Sequence, residues 1–208
     1  MAETLPGLAV PVGAPGSLDP ATLFSPPPAR VWLEVGFGAG EHLAALARAH
    51  PEIGFIGCEP YLYGVAALLR RLDEAGLGNV RIHVGDARDV LASLTEASLE
   101  RILILFPDPW PKARHHKRRF IAAPTLDLCA RGLAPGGELR VATDHAEYAG
   151  WIVEHLARHP AFRWTARGPA DWRRRPADWP ATRYEGKTTA QGRRPVFLRY
   201  RRVGRENA

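Results

Sequence analysis

The sequence predicts an α/β fold: a mostly parallel sheet of seven strands with helices on both faces. Three observations carry this. Short apolar runs of strand length alternate with patterns of helical period along the chain. The first run, Val31-Trp32-Leu33-Glu34-Val35, leads directly into a glycine-rich turn, Gly36-Phe37-Gly38-Ala39-Gly40, and then into a helical pattern. A later run, Ile102-Leu103-Ile104-Leu105, is apolar at every position, as a strand buried on both faces of a parallel sheet must be.

Residues 1–29 are rich in Pro, Gly and Ala and carry no period. Pro26-Pro27-Pro28 suits extended polyproline II, and the stretch reads as a flexible or loosely draped arm. One domain is expected from residue 30 to 208. Its first strand, glycine turn and helix (Leu43, Leu46 and Ala47 on one face) form the nucleotide-binding opening of a Rossmann-like sheet. Glycine there lets the backbone turn sharply and approach a ligand without a Cβ clash. G-x-G-x-G alone fits dinucleotide enzymes and S-adenosyl-L-methionine (AdoMet) methyltransferases equally. Glu34 separates them: a carboxylate beside Gly36 and Gly38 would repel a pyrophosphate but favours the ammonium and sulfonium of AdoMet.

A second strand, 53–58, is followed by Glu59, about 20 residues past the glycine turn. An acid at that place suits the ribose hydroxyls of an adenosine cofactor, or the first turn of the helix 61–75, where Leu62, Val65, Ala66, Leu69 and Leu72 repeat at helical spacing. The third strand, 79–84, closes at Gly85-Asp86-Ala87. Asp86 is placed either to accept from the adenine amine or to cap the helix 87–94. The fourth strand ends at Phe106-Pro107-Asp108-Pro109-Trp110, where two prolines forbid regular structure. Asp108 thus sits in a stiff turn at the carboxyl end of a buried strand, the sheet edge where ligands bind. A cationic block follows: Lys112, Arg114, Lys117, Arg118 and Arg119, with His115 and His116 between them.

Further on, the pattern predicts a helix over 124–131, a turn at 133–137 and a fifth strand over 138–142. Asp144 is placed to cap the next helix (Tyr148, Trp151, Ile152, His155 and Leu156 on one face) and also to face a substrate. A sixth strand covers 162–165. Residues 166–180 are irregular, with Arg173-Arg174-Arg175 beside Trp172 and Trp179. They read equally as an RNA grip and as a solvated loop with tryptophan anchors. Thr182-Arg183-Tyr184-Glu185 leads towards a last, basic strand over 195–203.

The 208 residues carry a net charge of +6, and all but Lys112, Lys117 and Lys187 of the 28 Lys and Arg are arginine. That balance favours polyanionic partners without choosing among them, and GC-rich codon usage would also produce it. Two cysteines and no secretory leader read as a cytoplasmic protein whose Cys58 and Cys129 are small core residues. No stretch approaches the ~18 continuous apolar residues of a membrane span. His115 and His116 are adjacent and lack metal-ligand spacing, so no metal is expected. Neither a G-x-S-x-G elbow nor a P-loop is present, so the hydrolase and P-loop readings lose support.

Methyl transfer from a sulfonium asks mainly that nucleophile and methyl be held in line. With that chemistry in view, F-P-D-P-W-P-K-A-R-H-H-K-R-R closely resembles the signature of the bacterial tRNA (guanine-N7)-methyltransferase family. L-E-V-G-F-G-A-G-E-H-L, G-C-E-P, G-D-A, A-P-G-G-E-L-R-V-A-T-D-H-A-E-Y and T-R-Y-E lie in the same order as in that family. The resemblance covers residue 31 to the C-terminus. It implies a class I methyltransferase fold, AdoMet as cofactor and a guanine of the tRNA variable loop as substrate, with monomer and homodimer both open. It places AdoMet against Glu34, Gly36, Gly38, Glu59, Asp86 and Asp108. It places the guanine near Asp108, Lys112, Asp144 and the segment Thr182, Arg183, Tyr184 and Glu185. Asp108 is the implied catalytic residue, and Arg114, His115, His116, Lys117 and Arg118 the implied RNA contacts. Two departures stand out: T-R-Y-E replaces the commoner T-K-F-E, and Gly186-Lys187 stands where an arginine-glycine pair is frequent.

Three other readings compete. A methyltransferase for an exocyclic base amine would carry a related proline turn in a different residue order, and mapping the methylated atom separates it. A non-enzymatic RNA-binding protein on a degenerate scaffold would not need Glu34, Gly36, Gly38, Glu59 and Asp86 intact. A nicotinamide dehydrogenase gives no reason for the Pro-Asp-Pro-Trp turn and its basic block.

Overall fold

A computed structural model describes residues 5–204; the expectations for residues 1–4 and 205–208 lie outside the described residues. The strands are β1 (Val31–Val35), β2 (Gly54–Cys58), β3 (Val80–His83), β4 (Leu99–Leu105), β5 (Leu133–Thr143), β6 (Phe162–Trp164) and β7 (Val196–Arg202). They form one sheet in the order β3-β2-β1-β4-β5-β7-β6. Neighbours from β3 to β5 pair parallel, and β7 runs antiparallel to both β5 and β6. The chain winds outward in both directions from β1 and β4, so the switch point of the topology falls between them. Register levels their carboxyl ends: Val35 lies opposite Cys58 and Ile104, and Leu105 opposite Ala142.

The helices are α1 (Leu5–Leu8), α2 (Glu41–Ala49), α3 (Leu62–Ala75), α4 (Ala87–Ser93), α5 (Ala123–Gly132), α6 (Ala146–Arg158), α7 (Ala170–Arg173) and α8 (Arg183–Ala190). Short 3-10 turns cover Pro20–Leu23 and Ala113–Arg118. Leu43, Leu46 and Ala47 of α2 join Val65, Leu68, Leu69 and Leu72 of α3 in one apolar cluster against the sheet. Val90 and Leu91 of α4, Leu126 and Cys129 of α5, and Tyr148, Ile152 and Leu156 of α6 form the larger cluster. Helical spacing of these residues makes each face apolar, and burying both faces is what a parallel sheet requires. Both cysteines are buried; burial pushes the Cys129 thiol up to about 12 and that of Cys58 higher, so neither is a ready thiolate. Among the described residues no helix is long and apolar enough to cross a membrane.

Several expected bounds move. The arm, read as flexible or loosely draped, is draped and pinned from residue 9 on. Val10 N–H donates to Ile82 O at 2.9 Å, Leu18 N–H donates to Ser93 O at 2.9 Å, and Val10 and Phe24 are buried. The Phe24 ring fills the space a Cβ on Gly54 would need, and Arg81 lies over that ring at 4.6 Å. Lone apolar residues between prolines and glycines show no period, which is why these contacts escape a pattern reading. Strand β4 begins at Leu99, three residues before the apolar run, and takes in Glu100 and Arg101, the latter paired with Glu138 at 3.1 Å. Trp32 Nε1 donates to Glu100 at 2.6 Å, and Arg101 stacks on the Trp32 ring at 3.8 Å. Residues 133–137, expected as a turn, extend β5 through a shift of register against β4.

Two corrections concern the site. Asp144 does not cap α6; His145 does, its Nδ1 accepting from Tyr148 N–H at 3.3 Å. Thr182 caps a helix, α8, where the sequence was read only as a lead towards the last strand. The Thr182 hydroxyl accepts from Glu185 N–H at 3.0 Å, so T-R-Y-E is the S/T-x-x-E start signal of a helix.

Candidate active site

A cavity of about 810 Å³ opens at the carboxyl ends of β1, β2 and β4, beside the switch point. The glycine turn forms one wall. Gly36, Gly38 and Gly40 have φ of 67°, 56° and 74°, left-handed values that residues with a Cβ rarely adopt. Gly40 has a second reason to be glycine: an added Cβ would lie 2.6 Å from Leu68 Cδ1, where α2 meets α3.

Glu59, at the end of β2, is buried in the opposite wall and bridges two backbone segments. One carboxylate oxygen accepts from Gly38 N–H at 2.8 Å, the other from Tyr61 N–H at 3.0 Å. A carboxylate has about four acceptor sites, so two remain for a ligand. The first-turn role and the ligand role of Glu59 therefore coexist. Asp86 also serves twice. It caps α4 by accepting from Arg88 N–H at 2.9 Å, pairs with the Arg88 guanidinium at 2.7 Å, and lines the cavity.

Asp108 completes this wall. The hydrogen bond from Phe106 N–H to Ala142 O, at 2.7 Å, is the last tie to β5 before the chain turns away. Phe106 and Trp110 take φ of 51° and 42°, a strained conformation for aromatic residues, on either side of Asp108. Asp108 is exposed in the cavity, and among the described residues its carboxylate makes no hydrogen bond or ion pair. Arg118 lines the same cavity and lies over the Trp110 ring at 4.9 Å.

Glu34 is placed differently from the other three acids. It lines a smaller cavity of about 370 Å³ on the far side of the glycine turn. There its carboxylate is held by His42 Nδ1 at 2.8 Å, and both side chains are buried. Thr182, Arg183 and Tyr184 line that same cavity, with Tyr184 packed on Phe106 at 5.1 Å between ring centres. The two cavities share Gly36, Gly38, Ala39, Leu105 and Phe106, so they adjoin across the glycine turn and the end of β4.

The remaining expected residues lie outside both cavities. Lys112, Arg114 and Lys117 are exposed on the 3-10 segment. His115 packs edge-on against Trp110, whereas His116 turns inward against Trp151, with Nε2 enclosed. Asp144 faces Arg193, 2.6 Å away in an ion pair that is not aligned as a hydrogen bond. Glu185 pairs with Arg175 at 3.2 Å, and Arg175 also donates to the carbonyl of the buried Trp179. Of the two readings of 166–180, the tryptophan anchor is seen at Trp179. His42, Tyr61 and Tyr63 on the cavity walls were not singled out from sequence. The E-P-Y-L-Y run straight after β2 offered a signal for the tyrosines, since two aromatics there cannot both face a helix core. Among the described residues no group of three or more His, Cys, Asp or Glu could hold a metal ion.

Comparison with known proteins decides the family. The model of a family described as "Putative methyltransferase" matches residues 28–198. A tRNA (guanine-N(7)-)-methyltransferase of Rhodospirillum rubrum is 53% identical over 201 residues, covering 95% of this chain and 79% of that protein. One of the same name from Paramagnetospirillum magneticum is 52% identical over 205 residues, covering 98% and 85%. The chain belongs to the tRNA (guanine-N(7)-)-methyltransferase family. Solved structures agree on the fold alone. An rRNA methylase of Streptococcus thermophilus superposes with a TM-score of 0.57 at 12% identity, covering 84% of this chain and 87% of that one. A 16S rRNA (adenine(1408)-N(1))-methyltransferase variant of Catenulisporales acidiphilia gives 0.56 at 16% identity, covering 92% and 98%. This methyltransferase family assignment fits the class I, Rossmann-like sheet described above.

Proposed function

We propose that the protein methylates N7 of a guanine in the variable loop of tRNA, using AdoMet, in the cytoplasm. The observation that carries this reading is one cavity lined by Glu59, Asp86 and Asp108 with the strained Pro-Asp-Pro-Trp turn and Arg118 at its side. Its donor set fits a cationic adenosine compound. Three carboxylates would repel a pyrophosphate, while Gly36 and Gly38 leave open space beside the backbone. Glu59 would hold ribose hydroxyls and Asp86 the adenine amine, with Gly36 and Gly38 in backbone contact. Glu34, tied to His42, supports the adjoining cavity, and its carboxylate lies across the glycine turn from Asp108. When bound, AdoMet supplies an electrophilic methyl group.

Guanine N7 has a free lone pair, so no proton has to leave before attack and a general base is dispensable. Methylation makes the purine cationic. Asp108, free of other partners among the described residues, stabilises that developing charge and accepts from guanine N1–H or N2–H₂, which orients the base. Thr182, Arg183 and Tyr184, at the adjoining cavity, hold the guanine from its other side. Lys112, Arg114, Lys117 and Arg118 contact phosphate; His115 and His116 support Trp110 and Trp151 beneath them.

Incubation with unmodified tRNA and labelled AdoMet tests this directly. The expected result is label at one variable-loop guanine, with chain cleavage there after reduction and aniline treatment. Label at an exocyclic amine, or none, would overturn the reading. Alanine at Arg114, Lys117 and Arg118 together should weaken tRNA binding and flatten the log–log salt dependence by about 0.7–0.9 per lost phosphate contact. An unchanged slope would remove these residues from the RNA interface.

A further inference from the structure

The geometry points to Arg119 as the positioning residue of the Asp108 turn, acting through the backbone rather than as part of the RNA grip. It stands in the cationic block, yet its side chain is fully buried. Nε donates to Pro109 O at 2.9 Å, and Nη2 reaches Trp110 O at 3.4 Å and Glu147 at 2.7 Å. The guanidinium lies between two rings of α6, 5.0 Å from Tyr148 and 4.6 Å from Trp151. The same two residues hold the chain just beyond it: Trp151 Nε1 donates to Ile121 O at 2.7 Å, and Ile121 N–H donates to Tyr148 Oη at 3.4 Å.

Asp108 has no partner of its own among the described residues, so its direction is set by the backbone of residues 106–110. Phe106 and Trp110 hold strained φ values there, and such values persist only where the surroundings impose them. Among the described residues, the side-chain hydrogen bonds to that turn all come from Arg119. Arg119 therefore ties the turn to α6 from the side opposite the cavity. The bond to Arg119 also holds the Glu147 carboxyl below its ordinary value. Lysine cannot replace it: an ammonium is a point donor, whereas the planar fork spans two carbonyls and a carboxylate and stacks on aromatic faces.

The inference rests on the proposed reaction for its kinetic arm only. Arg119→Lys is expected to lower kcat by about 10²-fold, the scale of a misplacement of about 1 Å. KM for tRNA should move less than threefold and the salt slope of tRNA binding not at all. Hydrogen–deuterium exchange of the 106–112 peptide should quicken at least tenfold, with exchange in β1 and α2 unchanged. Arg119→Ala serves as a second variant where it folds, with the same pattern and a larger loss. A kcat within twofold of wild type together with unchanged exchange would overturn the role. So would a salt slope lowered by about one contact, which would make Arg119 a phosphate ligand. If wild type fails to methylate guanine N7, the exchange arm still decides the matter, because it reads the turn and not the reaction.

Discussion

Asp108→Asn is expected to reduce kcat/KM for tRNA at saturating AdoMet by about 10²-fold or more, roughly 3 kcal/mol of transition-state stabilisation. Most of the loss should fall on kcat. Asparagine keeps the shape and one acceptor, so the base can still be placed, but it cannot match the positive charge that appears on the purine. Asp108→Glu keeps the charge and moves it by one methylene, and should recover part of the rate. The size of the effect follows from the turn. With φ of 51° and 42° at Phe106 and Trp110, the carboxylate is presented by a backbone that does not relax, and no neighbouring cation neutralises it among the described residues. A carboxylate with that freedom acts on whatever binds in front of it. Single-turnover rates on unmodified tRNA are the measurement; near-normal kcat/KM would remove Asp108 from the reaction.

What pattern reading recovers is set by how local the signal is. Strand β1 is read to the residue because five apolar-dominated positions run into a glycine turn whose chemistry is local. The proline pair around Asp108 is equally local, and its stiffness is visible as the strained φ values beside it. The cationic block misleads because charge in a sequence carries no direction. Arg118 faces the cavity, Lys117 faces solvent, and Arg119 is enclosed between Tyr148 and Trp151, although the three are consecutive. Nothing short of the fold tells them apart, since the rings that enclose Arg119 lie about one helix further along the chain. Glu34 shows the same limit on the acidic side: its pairing with His42, eight residues on, and its place in the adjoining cavity rather than the larger one are not visible in the local pattern. Helix α8 is the opposite case. Its T-x-x-E start is local and legible, and the Thr182 hydroxyl caps it as that pattern requires.

Gly64→Ala should impair AdoMet binding by at least about tenfold while leaving the helix it sits in intact. Intrinsic propensity alone predicts the reverse, since alanine in a helix is favoured over glycine by about 1 kcal/mol. Packing decides against it. Gly64 is buried in the first turn of α3, and a Cβ there would lie 2.3 Å from Gly38 O and 3.2 Å from Glu59 Cγ. The first of these is backbone and cannot swing aside as a side chain would. Relief requires the glycine turn to move, and Gly38 N–H is the donor that holds Glu59. Overpacking costs typically ~1–3 kcal/mol, so the stability change left after the propensity gain is small or a moderate loss. The ligand contacts are hit harder, because the displaced atoms belong to both walls of the cavity. Gly150→Ala is the matched control: it lies exposed within α6 with nothing within 4 Å of an added Cβ, and should raise Tm slightly. Calorimetric titration with AdoMet and thermal unfolding of both variants separate the two effects. Wild-type affinity in Gly64→Ala would show that close approach of α3 to the glycine turn does not shape the cofactor cavity.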